Sequence, residues 1–345
     1  MKRTGVWWAG LTVTVSAALG LWGVNRAEVP WNLSRVHLPP ASGVTFAAAH
    51  PVTVAILDTG MSEQPLLDGV QRYGYDFVSN PHNAGDGTGR DPTPLASSGG
   101  AGYHGTAVAG IVHSVNPQAR LIHVRVIGRA NMTTLADARD GLRWAAGLDV
   151  PGVPRNPLPA RVINASFSLN TVPHTGCAPA MQRAVDEVLA HGTVIVASAG
   201  NRHIPAARNT PAGCRGVIAV AATDDRGRRT SYSNWGSAVA LAAPGGTARE
   251  GVDVLRPGGG ESELTGTSFA APLVAGAASL LFAEQPTLSP AAVTRLLERT
   301  AQPFVGGQCD PVSARSCGSG VLDVSAAVQA ARSWPDLASL APRRE

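Results

Sequence analysis

Four side chains in this 345-residue sequence are of the types that acyl transfer requires, and each sits in a short segment rich in glycine and small residues. Asp58 stands in AILDTG, His104 in YHGTAVAG, Asn201 in SAGN and Ser268 in GTSFAAP. A serine hydroxyl is a weak nucleophile at neutral pH. It needs a base within hydrogen-bond reach, and the base needs a third group to fix its tautomer. His104 and Asp58 are of those types, and the Asn201 amide is able to donate to a developing oxyanion. Each residue has a plainer reading: Asp58 and Asn201 as turn formers, His104 and Ser268 as helix caps. Four of them together favour the chemistry.

The elements that must position these residues are visible as apolar runs of strand length at 52–57, 120–127, 160–166, 192–198, 216–222 and 238–243. Their hydrophobicity is continuous rather than alternating, which indicates strands covered on both faces. Between them, HGTAVAGIVHSV, LADARDGLRWAAG and CAPAMQRAVDEVLAHG read as helices, the last ending at Gly192. After residue 264 the pattern turns mainly helical, through TSFAAPLVAGAASLLFAEQ, SPAAVTRLLERT and LDVSAAVQAARSW. Alternating strands and helices imply an α/β fold with a doubly wound, mostly parallel sheet and helices on both faces. Ligands of such sheets bind beyond the carboxyl ends of the strands. Asp58 and Asn201 follow strands, His104 and Ser268 open helices, and all four are expected at one sheet edge.

Composition agrees with a large packed core: 44% hydrophobic, 15% charged, with 39 Gly and 26 Pro. Lys2 and Arg3 followed by an uncharged apolar run to Ala18-Leu19-Gly20 form a signal-peptide layout over 1–20. An uncleaved membrane anchor is the alternative, since no charge occurs from Thr4 to Asn25. Residues 21–332 read as one catalytic domain and 333–345 as a tail. Removing Lys2 and Arg3 lowers the net charge from +4 to +2. The densest basic group, Arg226, Arg228 and Arg229, lies beside Asp224 and Asp225 without interleaved aromatics, which excludes a nucleic-acid partner. Four cysteines in an exported chain point to disulfides, Cys309 with Cys317 across a short loop and Cys177 with Cys214. Free buried thiols are the alternative, and the spacing does not suit zinc. His82, His113, His123, His174, His191 and His203 read as surface or core residues.

The segments DTG (58–60), HGTAVAG (104–110), SAGN (198–201) and GTSFAAP (266–272) resemble, in type and order, those of the subtilisin-like serine peptidases, or subtilases. The resemblance runs from about residue 31 to 332, and ATDDRGRRTSYSNWG and CGSGVLDVSAAV are similar to cysteine-containing secreted bacterial members. It implies Ser268 as nucleophile, His104 as general acid and base, Asp58 as its orienting partner and Asn201 as oxyanion donor. It also implies substrate edges at 129–132 and 166–169, with Ser166, Phe167 and Ser168 on the second, and a pocket lined by Ser198, Ala199 and Gly200. The partner is then a protein or peptide in extended form, cleaved by a secreted or periplasmic monomer that needs no cofactor. Relatives bind structural calcium, for which Asp76, Asp86 and Asp91 are candidate ligands, although DGTGRD lacks an EF-hand spacing.

Several features depart from the family pattern. RANMTT and SFSL replace segments that usually carry glycine, and Ala107 stands where many relatives have a second histidine. The segment preceding Asp58 is too short for the usual inhibitory propeptide, so folding without one, or with a separate helper, is expected. Two other functions compete. A lipase or esterase is disfavoured because G-x-S-x-G is absent. An exported binding or chaperone-like module of the same fold requires that the retained quartet be idle.

Overall fold

Apolar runs buried on both sides become the strands of a parallel sheet, and the glycine- and proline-rich stretches become the turns between them. The computed structural model describes residues 29–38, 51–97, 102–129, 131–169 and 176–333. The leader at 1–20 and nearly all of the tail lie outside the described residues. In chain order the elements are α1 (Trp31–Arg35), β1 (Thr53–Asp58), β2 (Gln71–Asp76), α2 (Pro81–Ala84), α3 (His104–Val115), β3 (Arg120–Arg125), α4 (Leu135–Ala145) and β4 (Val162–Ala165). There follow α5 (Pro179–Ala190), β5 (Val194–Ser198), β6 (Ile218–Thr223), β7 (Val239–Pro244), β8 (Val252–Leu255), β9 (Glu261–Leu264), α6 (Thr267–Glu284), α7 (Pro290–Thr300) and α8 (Val324–Arg332).

The main sheet has the order β2-β3-β1-β4-β5-β6-β7, with every pairing parallel. The chain lays β2 and β3 on one side of β1 and then β4 to β7 on the other, so the order reverses at β1, where a doubly wound sheet opens its crevice. One core, holding Val54, Ile56, Val108, Ile111, Val220 and Leu273, fills the face covered by α3 and α6. The other, holding Ala55, Leu57, Val124, Leu142, Ile163 and Val185, fills the face covered by α4 and α5. Neighbouring strand residues fall into opposite cores, as the two-residue period requires.

Helix α6 is apolar and long enough to cross a membrane by length and composition, but it is packed inside the protein. Its lack of a polar face follows from that position. The expected strands and helices are found, with ends shifted by one or two residues. Five elements were not expected: β2, β8, β9 and the short helices α1 and α2. Strand β2 (QRYGYD) is an edge strand whose Arg72 and Tyr73 are exposed, so it lacks the apolar run of a central strand. β8 and β9 form an antiparallel hairpin across a glycine-rich turn, and β9 carries two glutamates. The short helix α1 is anchored by the Trp31 indole donating to the Gly251 carbonyl at 2.8 Å. The disulfides Cys177–Cys214 and Cys309–Cys317 are both formed.

Candidate active site

β1 ends at Asp58, whose side chain belongs to the same face as Val54 and Ile56 and is fully buried under the first turn of α3. His104 is the first residue of that helix. Its Nδ1 lies 2.7 Å from Asp58 Oδ1, the bond that assigns the proton to Nδ1 and leaves Nε2 as the acceptor. Burial works against a charged imidazole, but the Asp58 carboxylate and this hydrogen bond outweigh it and hold the His104 pKa above the ordinary histidine value. The close approach of helix to strand needs Gly105. A methyl group there would stand 2.5 Å from the Gly60 carbonyl oxygen and 3.2 Å from Asp58 Cβ. Thr59 ties the two segments together, its hydroxyl donating to the Gly102 carbonyl and accepting from the Gly105 N–H.

Ser268 is the second residue of α6. Pro272 lies four residues on and has no N–H to return to the Ser268 carbonyl. That carbonyl instead accepts from the Ser166 hydroxyl at 2.9 Å, while Ser268 Oγ donates to the Ser166 carbonyl at 3.2 Å. The Ser166 hydroxyl in turn accepts from Asn164 of β4. The proline of GTSFAAP thus frees one acceptor in the helix, and the reciprocal pair uses it to seat the serine against the end of β4. The His104 ring rests against Phe269, the next residue, with ring centroids 5.4 Å apart. Among the described residues no hydrogen bond joins Ser268 Oγ to His104. The hydroxyl must turn from the Ser166 carbonyl to meet Nε2, a tightening that serine sites commonly complete when substrate is bound.

Asn201 follows β5 through a turn made from Ala199 and Gly200. Gly200 has φ +106°, and a Cβ there would lie 2.4 Å from Asn234 Nδ2. Asn234 and Asn209 both donate to the Ala199 carbonyl, and the Gly200 N–H donates to the Thr267 hydroxyl. Asn201 Oδ1 accepts from the Thr267 N–H at 2.9 Å and the Thr267 hydroxyl at 2.7 Å. With its oxygen so engaged, the amide must present Nδ2 as donor, on the side of Gly266 and the amino end of α6. The Ser268 N–H belongs to the first turn of that helix, where backbone donors lack intrahelical acceptors and the dipole is positive. An oxyanion is held by two donors of this kind.

The substrate candidates are arranged along the same edge. Ser166 is buried between Asn164 and Ser268, and Ser168 is half-buried. The Phe167 ring packs in the core beneath α4 and α5, so that position offers backbone rather than a side chain to the cleft. Leu169 is tied back by its N–H to the Thr210 carbonyl. Ser198, Ala199 and Gly200 are buried and likewise contribute backbone. On the opposite edge the Gly128 N–H donates to the Met132 carbonyl, closing a turn on which Met132 is exposed.

The three calcium candidates do not fit a divalent cation. Asp76 Oδ2 and Asp86 Oδ2 both accept from Arg125 Nη1, at 2.6 and 3.1 Å. Their other oxygens accept from the Val78 N–H and from the Thr88 N–H. Asp91 is taken by the Thr88 hydroxyl and the Thr93 N–H. A buried guanidinium already supplies the positive charge that a metal would bring. The sequence held the signal, since Arg125 is a charged residue inside a strand of apolar neighbours. Thr59, Asn164, Asn234 and Thr267 are the supports that motif reading passed over, because each acts by holding another residue rather than by a reactive group.

Comparison with known proteins follows this geometry. The sequence profile of the subtilase family matches residues 49–320. The chain is 36% identical over 313 residues to a protein named extracellular protease from Xanthomonas campestris pv. campestris, covering 83% of this chain and 52% of that one. It is 30% identical over 313 residues to subtilisin Savinase of Lederbergia lenta, covering 88% and 99%. A solved protease structure from Pseudoalteromonas arctica superposes with a TM-score of 0.74 at 35% identity, over 81% of this chain and 90% of that one. The chain therefore spans about half the length of the Xanthomonas protein and nearly all of Savinase.

Proposed function

Since the chain belongs to the subtilase family, we propose that it is an exported serine endopeptidase that hydrolyses peptide bonds in extended segments of other proteins. The observation that carries this reading is the Asp58–His104 hydrogen bond of 2.7 Å, set beside the amino end of the helix that bears Ser268. Ser268 Oγ attacks the substrate carbonyl carbon and passes its proton to His104 Nε2. The Asp58 carboxylate holds the imidazolium in place. The Asn201 amide and the Ser268 N–H receive the oxyanion, a contribution of about 2.7–4 kcal/mol for a single side-chain donor. His104 then protonates the departing amine, leaving an ester on Ser268. Water, deprotonated by the same imidazole, cleaves that ester and restores the hydroxyl.

Every atom of this cycle comes from the chain, the substrate and water, so the reading calls for no cofactor and for a single copy of the protein. Export is supported by the relative's name and by two disulfides, which persist in oxidising compartments. Hydrolysis of casein measured beside a short-chain ester tests the reading. Casein cleavage that disappears in Ser268→Ala is expected. Folded protein that leaves casein intact would instead indicate a binding module.

A further inference from the structure

The buried side of the Asp58–Gly60 turn holds a second imidazole. In the parallel pairing of β1 with β3, Ile56 stands opposite His123 and Asp58 opposite Arg125. Leu121 shares a core with Val54 and Ile56, whereas Ile122 and Val124 lie in the other, so His123 is directed to the face that also carries Asp58. The ring is wholly buried, near the Asp58 carboxylate and the Gly60 carbonyl. Neither of its nitrogens has a partner at full hydrogen-bond geometry, although the Gly60 carbonyl is near enough to act on the ring as an acceptor, and Asp58 Oδ2, which is also buried, has no partner. A polar group buried without a partner is costly, and one that persists calls for a role.

Asp58 has a corresponding need. The His104 ring and the Thr59 N–H both engage Oδ1, at 2.7 Å each, so the carboxylate is held through one oxygen alone and Oδ2 is left for a further donor. Burial lowers the His123 pKa to about 4, with Asp58 and the Gly60 carbonyl offsetting this only in part, so the ring carries a single N–H at neutral pH. Across the sheet Tyr73 of β2 stands opposite His123 and Gln71 opposite Leu121, and Arg125, further along β3, is already held by Asp76 and Asp86.

We propose that His123 is a positioning residue for the reaction, its ring donating to the buried side of the Asp58–Gly60 turn and thereby fixing the face that Asp58 presents to His104. This rests on the serine-peptidase reading above. The role falls on a strand residue outside the motifs, and its chemistry is that of a neutral hydrogen-bond donor.

The test uses the full chain and two variants: His123→Leu, which removes the donor at similar bulk, and His123→Gln, which restores one. His123→Leu is expected to lower kcat about tenfold, the worth of one hydrogen bond to a charged group, with KM within about twofold. His123→Gln is expected to recover kcat to within about threefold of the parent at an equal melting temperature. An unchanged kcat in His123→Leu, or equal losses in both variants that track their melting temperatures, overturns the proposal. A second measurement uses the inactive Ser268→Ala protein with 15N-labelled histidine, which also avoids self-digestion. The His123 ring signals should move when Asp58→Asn is added, and signals that do not move overturn the assignment even if a His123 variant fails to fold. A parent without peptidase activity would sink the functional reading, and the ring signals would still decide the contact.

Discussion

Replacing Asn201 by alanine removes a donor whose direction is set by the protein and leaves the rest of the site in place. Its Oδ1 is held by two donors from Thr267, at 2.9 and 2.7 Å, so the amide is fixed before substrate arrives. Preorganised donors of this kind act on the charge that develops in the transition state. Asn201→Ala is therefore expected to lower kcat about 100- to 1,000-fold, with KM within about twofold. Thr267→Val removes one of the two anchors and keeps the backbone one. One neutral hydrogen bond is worth about 1 kcal/mol, which corresponds to about a fivefold loss of kcat. If Thr267 acts through Asn201, Thr267→Val costs almost nothing further in the Asn201→Ala background. Steady-state kinetics on a chromogenic peptide, with melting temperatures as a folding control, reads all four proteins. A rise in KM at constant kcat for Asn201→Ala, or full additivity in the double variant, would refute the reasoning.

Other expectations follow from the same geometry. In the proposed mechanism His104 works as a neutral base, and Asp58 holds its pKa above that of an ordinary histidine, so kcat/KM should fall as pH drops through that raised value. In Asp58→Asn burial is left unopposed, and that acid limb should move to lower pH while kcat falls on the order of 10⁴-fold. An unmoved limb would mean that the carboxylate does not set the base. Asp76→Ala leaves the buried Arg125 guanidinium with only the half-exposed Asp86 and a backbone carbonyl. It should cost about 3–5 kcal/mol by chemical denaturation, and a loss within experimental error would contradict the pairing. Removing Cys177–Cys214, which closes the longer loop, should cost about 4 kcal/mol, against about 2.6 for Cys309–Cys317. The reverse order would show that loop length is not what matters here.

The fold was legible where burial leaves a compositional trace. β1, β4 and β5 are continuous apolar runs because both faces are covered, and Asp58 and Asn201 stand at the carboxyl ends that such a sheet offers to ligands. β2 was not legible, since an edge strand with exposed Arg72 and Tyr73 has no reason to look apolar. The reactive residues announce themselves by type, whereas their supports do not. Thr267 and Asn234 are ordinary residues whose roles exist only after the chain has folded back on itself. Asp76 and Asp86 read as oxygen donors in sequence. Their partner, Arg125, lies 39 to 49 positions away, and only the sheet brings it between them.

The most direct test is the reactivity of one hydroxyl. Purified protein treated with a fluorophosphonate probe should be labelled at Ser268 in the peptide map, and His104→Ala, still folded by circular dichroism, should lose that label. Modification at another residue, or undiminished labelling of Ser268 without the imidazole, would contradict the account.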